Sequence, residues 1–222
     1  MRIAVVVFPG SNCELDAMYA LDLMGAEPEL VWHRETDLSG AAAIVLPGGF
    51  AHGDYLRTGA IARFSPVMAE VERLAAEGRP VLGICNGFQI LCEAGLLPGA
   101  MVANRDLSFI CRHVDLEVTS TASVLTAAAA VGDVLRIPLN SYQGNFVAPP
   151  TAVVSLGDQV VLRYHGDNPN GSTDAIAGIA NSAGNVAGLM PHPERAVEQI
   201  LGSTDGRVLL ESFVTSAALV PA

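Results

Sequence analysis

Cys85 lies in the pentapeptide Gly83-Ile84-Cys85-Asn86-Gly87, directly after the apolar run Pro80-Val81-Leu82. A sulfur with glycine two residues before and two after it meets the steric demand of a sharp strand-to-helix elbow, where bulky neighbours collide. The residues that follow, 88–94, read as a helix. Cys85 therefore falls near a helix N-terminus, where the dipole and the free N–H groups favour thiolate over thiol. A buried core cysteine in a glycine-rich turn fits the same five residues, so context must decide. That context is Pro191-His192-Pro193-Glu194, which follows the strand-like run 185–190. In an extended chain residues two apart point the same way, which predicts Glu194 beside His192. A carboxylate there can orient the imidazole and stabilise imidazolium while the other ring nitrogen serves the thiol. A third element, the apolar run Ala43-Ile44-Val45-Leu46, ends in Pro47-Gly48-Gly49-Phe50. Glycines just past a strand end let backbone N–H groups face a cleft, so Gly49 is one candidate donor to a forming oxyanion. The N–H of Asn86, next after the nucleophile, is the other. Together these residues suit attack of a thiolate on a carbonyl carbon.

The elements that must position them alternate through the first half. Strands are expected over 2–8, 29–33, 41–46 and 80–84, and helices over 13–24, 65–77 and 87–94. Gly25, Gly78 and Gly95 fall where helix C-caps belong. Ser11-Asn12-Cys13-Glu14 reads as a polar helix cap. This alternation predicts an α/β fold with an open, mainly parallel sheet and helices on both faces, of flavodoxin-like type. Its elbow strand is expected to be central and its site at the carboxyl ends of the strands. From about residue 109 the pattern turns β-rich, with short strands expected over 114–118, 134–138, 153–156, 160–164, 175–180 and 185–190. Turn chemistry between them favours antiparallel additions. A last helix is expected over 205–217. The whole of 1–222 reads as one domain.

Composition narrows the function. The chain has 222 residues, a net charge of −11 and a hydrophobic fraction of 50%. Without a basic face, nucleic-acid and anionic-membrane partners are not expected. No apolar run approaches the ~20 residues of a membrane span, and Pro9-Gly10 ends the first one too early for a signal peptide. All 12 basic residues are arginine, which removes lysine Schiff-base chemistry and a Walker A loop. No dinucleotide-binding glycine fingerprint occurs. Cys13, Cys85, Cys92 and Cys111 have no zinc-type spacing. Cys13, Cys92 and Cys111 read as core or near-core residues. No metal site is expected, and a working thiolate fits a reducing cytoplasm.

With elbow, glycine loop and His-x-Glu in this order, the chain resembles the class I (triad) glutamine amidotransferases. Within them it resembles the glutaminase subunits of phosphoribosylformylglycinamidine synthases. The similarity is carried by Pro9-Gly10-Ser11-Asn12-Cys13, Gly48-Gly49-Phe50, the stretch from Gly53-Asp54-Tyr55 to Ala62-Arg63, and Gly83-Ile84-Cys85-Asn86-Gly87-Phe88-Gln89. Asn168-Pro169-Asn170-Gly171-Ser172 and Met190-Pro191-His192-Pro193-Glu194-Arg195 complete it. The resemblance implies Cys85 as nucleophile, His192 as general base and acid, and Glu194 as its orienter. It implies Gly49 and Asn86 as the oxyanion hole, and Gln89 beside bound L-glutamine. It also implies delivery of ammonia to a separate synthetase large subunit, with a small accessory subunit. That partner, not this chain, would use ATP and Mg²⁺ to amidate formylglycinamide ribonucleotide. The segment 54–63 could be a structural loop or a partner contact. Where the family commonly carries Gly-Glu-Gly, this chain has Ser141-Tyr142-Gln143-Gly144, which is expected to alter the pocket rim or the docking surface. Another cysteine hydrolase of this fold and a catalytically silent docking subunit are the competing readings.

Overall fold

Short runs of valine, isoleucine, leucine and alanine form strands here because both faces of the sheet can be covered. The computed structural model describes residues 1–219, so the last three positions of the expected 1–222 domain lie outside the described residues. The first half runs β1 (Arg2–Val7), α1 (Glu14–Leu23), β2 (Glu27–Trp32), β3 (Ala43–Leu46), α2 (Pro66–Ala76), β4 (Val81–Ile84) and α3 (Asn86–Glu93). The second half runs β5 (Ala100–Val102), β6 (Ile110–Val118), β7 (Val134–Ser141), β8 (Asn145–Val147), α4 (Pro150–Leu156), β9 (Val160–Tyr164), β10 (Ile176–Ala180), β11 (Val186–Leu189) and α5 (Gly206–Ala218).

Nine strands form one sheet in the order β2-β1-β3-β4-β11-β10-β9-β6-β7. β2, β1, β3, β4 and β11 run parallel, and the remaining four extend the sheet antiparallel. This is the expected α/β architecture with antiparallel additions. Every residue of β3, β4 and β11 is buried. β5 and β8 pair separately as a small antiparallel ribbon. That ribbon was not expected, since three residues are too few to show an alternation.

One expected strand is wrong. Residues 153–156 lie in α4, a helix opened by Pro150 at its first turn. Proline's fixed φ suits that position and outweighs the strand preference of Val153 and Val154. Val154 stands exposed on that helix, where it packs into no sheet.

The chain leaves β1 in one direction to reach β2, and leaves β3 in the other to reach β4. Right-handed crossovers then put α1 and α2 on opposite faces. The order reverses between β1 and β3, and the carboxyl ends of adjacent parallel strands open a crevice there. β7 points the same way, because an even number of antiparallel steps separates it from β11. Five loops thus reach one place: those after β1, β3, β4, β7 and β11. No helix among the described residues is long and apolar enough to cross a membrane.

Candidate active site

Cys85 follows β4 and caps α3 with φ +50° and ψ −104°. That strained geometry holds its backbone in the turn, where its N–H donates to the Leu189 carbonyl of β11 at 2.8 Å. The flanking glycines have a definite cause. A Cβ on Gly87 would lie 1.9 Å from the Leu46 carbonyl oxygen, and one on Gly83 would lie 2.7 Å from the Gly87 carbonyl carbon.

The loop after β11 carries His192, whose N–H donates to the Pro138 carbonyl of β7 at 2.7 Å. Its Nδ1 lies 2.6 Å from Glu194 Oε1, with both side chains almost wholly buried. The pair meets across a 3-10 turn, Pro193–Arg195, and not along an extended strand as the spacing alone suggests. Nε2 has no hydrogen-bond partner, and His192 lines the same cavity as Cys85. Burial alone would push the imidazole down. The Glu194 carboxylate, followed by the Cys85 and Cys13 sulfurs, outweighs burial and holds it well above the ordinary histidine range. Such an environment favours an imidazolium beside the Cys85 sulfur.

The loop after β3 closes the site. A Cβ on Gly48 would lie 2.7 Å from His192 Cε1, so glycine is required for the imidazole to sit there. Gly49, with φ +144°, bridges to Ser11. That bridge uses the N–H groups of Phe50 and Asn12 and leaves the Gly49 N–H without an acceptor among the described residues. Asn86 opens α3, so its N–H has no intrahelical acceptor either. The Asn86 side chain accepts from the Ala51 N–H at 3.0 Å and donates to Gln89 Oε1 at 2.8 Å. Gln89 Nε2 in turn donates to the Gln143 carbonyl at 2.6 Å, while Thr58 Oγ1 donates to Gln143 Oε1 at 3.2 Å. Ser141, Tyr142 and Gln143 of the segment that departs from the family pattern line the cavity. That cavity, about 360 Å³, is lined by Cys85, His192, Gly49 and Gln89 among others.

Several residues were missed. Cys13 is not merely a core residue: its sulfur lies within 4.8 Å of ligating atoms of His192 and Glu194. It donates to Asn12 Oδ1 at 3.1 Å and receives Arg195 Nη2 at 3.2 Å. It also occupies the N-cap of α1 without any side-chain cap bond, so the polar run 11–14 does not cap as expected. Cys111 is exposed, not near-core. The topology holds the missing signal, since the loop after β1 borders the reversal in strand order. Asp54 also lines the cavity, and burial pushes its carboxyl up to about 6. In the segment after it, Arg57 grips Glu93 through two hydrogen bonds and Arg63 donates to the Glu93 carbonyl, whereas Tyr55 and Leu56 stand exposed.

Comparison with known proteins agrees with this geometry. Residues 1–208 match the model of the CobB/CobQ-like glutamine amidotransferase domain. The chain belongs to that family. Among curated relatives, phosphoribosylformylglycinamidine synthase subunit PurQ of Rubrobacter xylanophilus is 52% identical over 98% of this chain and 99% of its own length. The subunit of the same name from Trichormus variabilis is 52% identical over 96% and 97%. Among solved structures, PurLQS from Thermotoga maritima superposes with a TM-score of 0.90 at 45% identity, covering 96% of this chain and 97% of that one. The glutaminase domain of Trypanosoma brucei CTPS, solved with acivicin, shares the fold at a TM-score of 0.65 and 14% identity, covering 100% of this chain and 95% of its own. In this chain the loops after β1, β3, β7 and β11 meet the loop after β4 that carries Cys85.

Proposed function

We propose that this amidotransferase is the glutaminase subunit of phosphoribosylformylglycinamidine synthase. One observation carries the reading: a cysteine in a strained elbow shares a cavity with the free nitrogen of a buried His192–Glu194 pair. The full-length likeness to PurQ subunits supplies the pathway.

In this reading the Cys85 thiolate attacks the side-chain amide carbon of L-glutamine. The oxyanion that forms is met by the N–H groups of Gly49 and Asn86. An amide nitrogen leaves only when protonated, and His192 as imidazolium provides that proton through Nε2, releasing ammonia. A glutamyl thioester on Cys85 remains. Water then attacks the thioester while neutral His192 takes its proton, and glutamate departs with the thiolate restored. Glu194 holds the imidazole through Nδ1 in both half-reactions. Gln89 and Gln143 form the wall against which the substrate lies. The ammonia is consumed by a separate synthetase subunit, which supplies ATP and Mg²⁺ and amidates formylglycinamide ribonucleotide, with a small accessory subunit in the assembly. A working thiolate fits a reducing cytoplasm.

The test is intact-mass spectrometry after exposure to 6-diazo-5-oxonorleucine, alone and with the synthetase subunit. A single adduct on wild type that disappears in Cys85→Ser supports both the nucleophile and glutamine recognition. No adduct under either condition overturns the reading in favour of a silent docking subunit.

A further inference from the structure

Asp54 is the single carboxylate lining the catalytic cavity among the described residues, and it takes part in no ion pair there. Its nearest polar contact is weak, Asn86 Nδ2 at 3.5 Å from Oδ1. It is only partly exposed. A carboxylate removed from water without a cation is penalised, so the fold keeps Asp54 in place at a cost.

The backbone that holds it is also unusual. His52 (φ +54°), Gly53 (φ +71°) and Asp54 (φ +54°) are left-handed in succession, a conformation that non-glycine residues adopt only when the surroundings impose it. Those surroundings are visible. The His52 ring lies edge-on to His33 and to Phe8, with centroids 5.3 and 6.5 Å away. The Ala51 N–H is bound to Asn86 Oδ1, and Asn86 follows the nucleophile directly. The turn is therefore pinned to the residue directly after the elbow cysteine, which ties the carboxylate's place to that of Cys85.

In L-glutamine the α-ammonium is four bonds, roughly 5 Å, from the amide carbon that meets the thiolate. Arg195, the permanent cation on the cavity wall, is already paired with Asp16 at 2.9 Å. We propose that Asp54 is the anchor for the substrate's α-ammonium group and the residue that makes the site prefer a free α-amino acid over other γ-amides. The proposal rests on the glutaminase reading above. It explains why an unpaired carboxylate is held in a costly turn: the substrate is its missing partner.

The test compares wild type with Asp54→Asn, each with the synthetase subunit present. Two amides are used, L-glutamine and glutaramate, which is the same chain without the α-ammonium. Asp54→Asn should lower kcat/KM for glutamine about 10- to 100-fold, mainly through KM, as loss of a hydrogen bond between charged groups implies. It should leave kcat/KM for glutaramate within about twofold, so the preference for glutamine collapses. The variant should also melt higher than wild type at pH 7.5, because an uncompensated charge has been removed from a partly buried place. Equal losses on both amides, or no loss on glutamine, would overturn the proposal while leaving the glutaminase reading intact. Wild type that turns over neither amide would instead overturn the glutaminase reading itself.

Discussion

Replacing Gly87 with alanine tests the geometry of the elbow by adding one methyl group. Its carbon would lie 1.9 Å from the Leu46 carbonyl oxygen, 2.6 Å from the Leu46 carbonyl carbon and 2.9 Å from Leu46 Cβ. Carbon and carbonyl oxygen approach to about 3.3 Å without repulsion, so α3 and the end of β3 must separate by roughly 1.4 Å. Neither can yield cheaply, since the obstacle is backbone and β3 is buried throughout. The separation opens the distance between Cys85, which caps α3, and Gly49, which follows β3. A misplacement of about 1 Å costs on the order of 100-fold in rate, or about 2.7 kcal/mol of barrier. Overpacking itself should cost about 1–3 kcal/mol of stability, a fall in Tm of roughly 2–12 °C for a chain of this size. Labelling by 6-diazo-5-oxonorleucine, followed by intact mass over time, reads the first quantity, and thermal melting reads the second. Gly78→Ala is the control. Gly78 has φ +88° with nothing within 4 Å of the added carbon, so that variant should lose stability without slowed labelling. If Gly87→Ala labels within about twofold of wild type and melts at the same temperature, the elbow does not depend on this close approach and the reasoning fails.

Glu194→Gln should destabilise the protein in a pH-dependent way. The folded-state pKa of His192 is raised, so its contribution is fully present below about pH 6.5 and is lost as pH climbs through the folded value. The Tm gap between wild type and variant should therefore be widest near pH 6 and narrow as pH rises above the ordinary histidine range; a constant gap would refute the charge pairing. Cys13→Ala should keep the single 6-diazo-5-oxonorleucine adduct that Cys85→Ala loses. The reason is that Cys13 shares its proton with Asn12 Oδ1 and lacks the left-handed backbone of Cys85. The opposite pattern would transfer the nucleophilic role to Cys13.

Much of the fold was legible because periodicity is local. Val81–Ile84 and Val186–Leu189 are apolar runs bounded by turn residues, and α1, α2 and α3 show their ends through the glycines that follow them. The strand misread at 153–156 shows the limit. Valine favours strand only where it packs on a sheet surface, and Val154 stands exposed on α4. Glycine spacing around Cys85 was legible too, since a carbonyl 1.9 Å from an absent Cβ leaves one residue type possible.

The amino-acid order by itself determined the elbow, the histidine with its carboxylate and the glycine loop, because each is a short-range constraint written within a few residues. Only the tertiary structure decided that Cys13, Asp54 and Gln143 line the same cavity as Cys85. They come from loops after different strands, and which loops meet depends on strand order and on the reversal between β1 and β3. That order is settled by long-range packing, which no local pattern records.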